Sequence, residues 1–170
     1  MTTVSTENLN QIRLQLSREM LVRKNGVVYT PEKLAQYLAQ KTFHYMRSDS
    51  AYKDNKQISA IDNAVGDGVL LKAIATEFLH DKQLEQIILC GVDIDQNALE
   101  NSRQKLQQLD GIVKLTLVNT NSLCPFNIDL VKGWQRIFEK ASVSEGFDCL
   151  IENPPWGADI SEYKDNVNPE

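Results

Sequence analysis

From Ile58 onward the sequence alternates short apolar runs with longer helical stretches, and that rhythm leaves few folds open. Four runs read as strands: Ile58–Asp62, Gln86–Ile94, Ile112–Asn119 and Phe147–Glu152. Between them, Val69–Leu79, Asn97–Leu109 and Ile128–Lys140 read as helices. Short strands separated by helical stretches imply βαβ units and a parallel sheet, so the expected class is α/β. A chain of 170 residues is long enough for one domain with a real core.

The N-terminal part has a different character. Residues 5–24 place Leu9, Ile12, Leu14, Leu16, Met20 and Leu21 at roughly helical spacing, with Gly26 as a stop. Thr30 is a candidate N-cap and Pro31 suits the first position of a second helix. That helix is expected to run to about Met46, burying Leu34, Leu38, Phe43 and Met46. Residues 47–57 are polar and read as a loop, and the acidic stretch 158–170 is expected to be poorly ordered.

Composition closes several functional classes. No window approaches 18 uninterrupted apolar residues, so no helical membrane span is expected. The start, MTTVSTENLN, lacks the basic and apolar regions of a signal peptide, which points to the cytoplasm. Cys90, Cys124 and Cys149 are odd in number and far apart, unlike a disulfide frame or a zinc site. His44 and His80 are isolated, so no metal is expected. The net charge of −5 argues against duplex nucleic acid as a partner of these residues by themselves.

The first expected strand ends in Asp62-Asn63-Ala64-Val65-Gly66-Asp67-Gly68, and a helix follows. A parallel sheet binds its ligand at the carboxyl ends of the strands, near the reversal of strand order. Gly66 and Gly68 allow a tight turn and a close backbone approach. The dinucleotide fingerprint needs a third glycine where Leu71 stands, which disfavours a pyrophosphate cofactor but not a nucleoside without phosphates. The second strand ends Gly91-Val92-Asp93-Ile94-Asp95. Asp93 is the candidate to accept hydrogen bonds from both ribose hydroxyls, while Asp95 is placed to cap the next helix.

The fourth strand runs into Asn153-Pro154-Pro155-Trp156. Prolines end a central strand and hold the preceding backbone extended, giving a rigid segment at the ligand edge. The Asn153 amide oxygen and the Pro154 carbonyl then form a pair of acceptors for the two N–H bonds of a planar exocyclic amine. Drawing on both N–H bonds favours a pyramidal nitrogen and frees its lone pair for attack on a methyl group. Trp156 offers a face on which a base can stack, and a base in a duplex must be flipped out to reach it.

In this order the motifs resemble those of S-adenosylmethionine-dependent adenine-N6 DNA methyltransferases. The Thr30-Pro31 motif at the N-terminal side is the arrangement of the gamma class of type II restriction–modification enzymes. The resemblance covers about residues 20–160 and implies a Rossmann-like methyltransferase fold, here its N-terminal half, of about four parallel strands with flanking helices, preceded by an N-terminal helical segment. It divides the chain into a segment 1–50, a cofactor-binding core 51–157 and the tail 158–170. The implied cofactor is S-adenosylmethionine. Tyr29 and Thr30 would contact its methionine part, Asp62, Ala64, Gly66 and Gly68 would line its turn, and Asp93 would hold the ribose. Ile94 would pack on its adenine, and Asn121 stands where the family usually has an Asp that bonds the adenine amine. Asn153, Pro154, Pro155 and Trp156 would be the catalytic set.

The family's sheet and its basic DNA-reading region continue beyond the point reached by this sequence. The resemblance therefore implies DNA as partner through a C-terminal recognition region, and an exposed fourth strand covered by self-association or a C-terminal partner. Two other readings remain: a cofactor-binding fragment that methylates nothing alone, and a methyltransferase acting on a protein glutamine or an RNA base amine. The latter enzymes usually carry Tyr where Trp156 stands.

Overall fold

A computed structural model describes residues 29–109 and 111–155. The helix expected over 5–24, Trp156 and the tail 158–170 lie outside the described residues. The elements run α1 (Glu32–Ser48), β1 (Gln57–Asp62), α2 (Val69–His80), β2 (Gln86–Asp93), α3 (Gln96–Leu106), β3 (Val113–Asn119), a 3₁₀ turn (Pro125–Asn127), α4 (Leu130–Ala141) and β4 (Cys149–Leu150). The four strands pair in parallel in the order β3-β2-β1-β4. The strand order thus reverses between β1 and β4, and a crevice opens at their carboxyl ends.

Both faces of the sheet are covered. Leu71, Ile74 and Phe78 of α2 and Leu99 and Leu106 of α3 pack with Ile58, Ala60, Ile87 and Leu89 on one side. Ile137 and Ala141 of α4 cover Ile61, Ile88, Cys90 and Val92 on the other. This double cover buries β1 and β2 along nearly their whole length, polar Ser59 and Asp62 included. Burial raises the Cys90 and Cys149 thiols to about 12, so both are unreactive at neutral pH. Among the described residues no helix is long and apolar enough to cross a membrane.

Three local expectations need correction. Leu34 and Leu38 are not in the core; they are 49% and 39% exposed, and the buried face of α1 is Ala35, Ala39 and Met46. Small side chains four apart let α1 lie close against α2, where Phe43 meets Phe78 edge to face at 5.4 Å. The polar loop after α1 is tied down by Arg47, whose guanidinium donates to the Tyr52 carbonyl at 2.6 Å and pairs with Asp81 at 2.6 Å.

The second correction concerns β4, which spans only Cys149–Leu150 rather than Phe147–Glu152. A side chain replaces the missing ladder: Asp148 Oδ2 accepts from the Ser59 backbone N–H at 2.7 Å and from its hydroxyl at 2.6 Å. Beyond the strand, the Ile151 N–H donates to the Ile61 carbonyl at 3.0 Å and carries the chain to the crevice. The third is the cap of α1. Pro31 occupies that position, with its carbonyl accepting from Leu34 and Ala35, and the Thr30 side chain does not cap.

Candidate functional site

The connection from β1 to α2 is built on two left-handed glycines. Gly66 has φ +51° and Gly68 φ +79°, conformations that side-chain-bearing residues rarely adopt. The Gly68 N–H closes the turn on the Val65 carbonyl at 2.8 Å, and the Val65 N–H bonds the Val92 carbonyl at 2.9 Å. These bonds fix the turn against the end of β2.

Asp93, at that end, has both carboxylate oxygens engaged by backbone. Oδ2 accepts from the Gly66 N–H at 2.8 Å and Oδ1 from the Asp95 N–H at 2.9 Å. Asp95 itself caps α3 by accepting from the Asn97 N–H at 2.8 Å, as the sequence reading expected. Ile94, between them, is 64% exposed and presents apolar surface beside the turn.

Asp62 sits on the last residue of β1 and is 1% exposed. Burial raises its carboxyl to about 7; the hydrogen bond from Ala64 opposes the shift, and the Glu152 and Asp93 charges add to it. Tyr29 lies over the turn, with Cε1 3.7 Å from where a Gly66 Cβ would be. Its phenol is shifted upward, mainly by burial and then by Asp67, Asp95 and Asp93.

A cleft runs between these groups, lined by Tyr29, Thr30, Asp62, Ala64 to Asp67 and Asn153. Asn153 lies three residues beyond the end of β4, and its amide nitrogen donates to the Thr30 hydroxyl at 3.1 Å. Two motifs 123 residues apart are thereby joined by one bond. The Thr30 hydroxyl makes this contact instead of capping α1, which explains its place before Pro31. Pro154 is half-buried and Pro155 exposed beside Asn153.

Not every expected site residue lines this cleft. Asn121, after β3, is half-buried and folds its side chain onto its own loop, Oδ1 accepting from the Leu123 N–H at 2.9 Å. Gly68, Asp93, Ile94, Asn121, Pro154 and Pro155 lie outside the lining, Asp93 and Ile94 at the end of β2 and Asn121 just after β3. Among the described residues no group of three or more His, Cys, Asp or Glu side chains is placed to hold a metal ion.

Against this geometry, residues 16–170 match the model of the family described as N-6 DNA Methylase. The chain belongs to the N-6 DNA methylase family. It is 29% identical over 157 residues to the type II methyltransferase M.VspI of Vibrio sp. (strain 343). That alignment covers 91% of this chain and 31% of the Vibrio protein, so the chain spans about a third of the curated relative it matches. Two solved structures share the fold. A protein of Listeria monocytogenes described as a class I S-adenosylmethionine-dependent methyltransferase aligns with a TM-score of 0.52 at 20% identity, over 89% of this chain and 42% of that one. The methyltransferase subunit of a type I restriction–modification system from Streptococcus thermophilus aligns with a TM-score of 0.53 at 18% identity, over 82% of this chain and 26% of its own.

Residues outside these motifs also contact the turn. Ser102 and Lys105 of α3 reach the back of the glycine turn: the Ser102 hydroxyl donates to the Gly66 carbonyl at 2.8 Å, and Lys105 Nζ pairs with Asp67 Oδ2 at 2.5 Å. The one signal in the sequence is a polar residue on the apolar stripe Ala98, Leu99, Ser102, Leu106, all buried. A fully buried serine inside such a stripe needs a partner.

Proposed function

We propose that this chain forms the S-adenosylmethionine-binding and base-holding part of an adenine-N6 DNA methyltransferase of a restriction–modification system. The observation that carries the reading is the convergence of the glycine turn, Asp93, Thr30 and Asn153 where the strand order reverses. The donor set suits a nucleoside with an amino-acid tail. A carboxylate stands at the end of β2 for the ribose hydroxyls, glycines leave room along the turn, and a hydroxyl and a phenol stand at the N-terminal side. Bound there, S-adenosylmethionine supplies an electrophilic methyl group.

Each residue then has a role in binding or orientation. Asp93 accepts from the ribose hydroxyls, and exposed Ile94 packs on the cofactor's adenine. Asn121 accepts from the adenine amine through its amide oxygen. Tyr29 and Thr30 face the methionine part, and Asp62, Ala64, Gly66 and Gly68 shape the turn. With its amide nitrogen donating to Thr30, Asn153 accepts from the target amine through its oxygen, and the Pro154 carbonyl takes the second N–H. Trp156 stacks on the flipped base. Pro155 keeps the segment rigid.

The outer edge of β4 belongs to the same reading. Among the described residues no strand pairs there, and Leu150 is 56% exposed. A further strand, from a C-terminal region or from another copy, would cover it.

Calorimetric titration of S-adenosylmethionine into this chain, beside Asp93→Ala, tests the cofactor role. The variant should bind roughly tenfold to a hundredfold more weakly, the scale of lost hydrogen bonds to a charged group. Equal binding by both proteins would remove Asp93 from the site. For the target, methyl transfer should mark adenine in DNA and disappear in Asn153→Ala, with cofactor affinity unchanged. Transfer to a glutamine-bearing protein or to RNA instead would move the substrate to another class.

A further inference from the structure

We infer that Ser102 and Lys105 are positioning residues that set the cofactor turn from behind, an inference that rests on the S-adenosylmethionine reading above. A turn with two left-handed glycines has little shape of its own, because glycine moves freely among backbone states. Its shape must come from outside ties. The Asp93 carboxylate holds the Gly66 N–H, and Ser102 holds the Gly66 carbonyl, so both backbone polar atoms of this residue are fixed. Lys105, one helical turn further along α3, holds the Asp67 carboxylate.

Packing reinforces the tie. Ser102 is 0% exposed, and a Cβ on Gly68 would lie 2.9 Å from its Oγ and 3.2 Å from its Cα. The helix and the turn are in direct contact there. A hydroxyl at this buried point costs desolvation unless it is bonded, and its bond goes to the turn. The Lys105–Asp67 pair is partly exposed, at 41% and 29% of the two side chains. A pair so exposed adds little to global stability, so its consequence is local: it places Asp67, which lines the cleft. A turn held in its binding shape loses less conformational freedom when the cofactor arrives.

The test is cofactor affinity measured beside thermal stability, on the full chain. Ser102→Ala and Lys105→Met should each raise the dissociation constant for S-adenosylmethionine roughly fivefold, the scale of one net hydrogen bond. Lys105→Met should do so with its melting temperature unchanged. In an Asp67→Asn background, Lys105→Met should have no further effect, because its partner is already neutral. Arg47→Gln is the stability control, since it breaks a half-buried ion pair that ties α1 to the end of α2. It should lower the melting temperature and leave affinity unchanged. Arg103→Gln, exposed on the same helix, should change neither.

Unchanged affinity in both Ser102→Ala and Lys105→Met would overturn the inference. So would affinity that falls only in step with melting temperature, as a merely structural role predicts. A full Lys105→Met effect in the Asp67→Asn background would break the link between those two residues. A native chain that binds no S-adenosylmethionine would instead overturn the cofactor reading, and the positioning role with it.

Discussion

Gly68→Val should destabilise the chain by about 3–4 kcal/mol and abolish cofactor binding in whatever fraction remains folded. Two penalties combine at this position. The backbone at φ +79° is one that a β-branched residue adopts only under strain. The new Cβ would also meet Ser102, at 2.9 Å from Oγ, 3.1 Å from Cβ and 3.2 Å from Cα. Rotating the hydroxyl away does not relieve this, because the Ser102 backbone is itself in the way and the hydroxyl is the partner of Gly66. The helix must therefore move from the turn, and the core face of α3 moves with it. Gly68→Ala meets the same Cβ contact with less bulk and should fall between the native chain and the valine variant. Urea denaturation followed by circular dichroism measures the first effect, and calorimetric titration the second. A valine variant with native stability would mean that the turn and α3 are not in contact in solution.

Asp62→Asn should change how stability depends on pH. The Asp62 carboxyl titrates at about 7 in the folded chain against 3.8 for an unperturbed one. Between those values the folded state keeps a proton that the unfolded state has lost. Its contribution to stability therefore falls as pH rises through this window and is level above it. Asparagine carries no such proton, and its oxygen can still accept from the Ala64 N–H. The variant should thus gain on the native chain between about pH 4 and pH 7, by on the order of a few kcal/mol in total. Urea midpoints taken for both proteins across that range decide it. Parallel curves would mean that Asp62 is already charged in the fold at neutral pH, held by its neighbours rather than by a proton.

The sequence read the sheet well because the sheet's physics is local in sequence. Apolar runs between helical stretches define βαβ units, and both faces of β1 and β2 are buried along nearly their whole length. The end of β1 at Asp62 and the Asp95 cap were legible, while β2 closes at Asp93, one residue before the expected Ile94. The short β4 was not legible, because Asp148 supplies through its side chain what a backbone carbonyl supplies elsewhere. Only the partner strand, 89 residues earlier, reveals that substitution.

The same division runs through α1 and the site. Periodicity favoured Leu34 and Leu38 for the core, since large apolar residues score higher than alanine. The close approach of α1 to α2 instead chose Ala35 and Ala39, a choice made by the space between two helices. Thr30 reads locally as a cap, yet its hydroxyl meets Asn153 across the crevice. Asn121 also bonds locally, its amide oxygen accepting from the Leu123 N–H of its own loop.

By itself, then, the sequence determined the class of the sheet, the glycine turn and the acid that follows the second strand. It also determined the Asn-Pro-Pro segment at the end of the fourth. Each of these depends on neighbours along the chain: strand period, glycine φ, proline rigidity. Only the tertiary structure decided that Thr30 and Asn153 share a bond, that Asp62 holds its proton to about pH 7, and that α3 grips the turn through Ser102 and Lys105. Those outcomes depend on distance and burial between segments far apart in sequence, which no local pattern encodes.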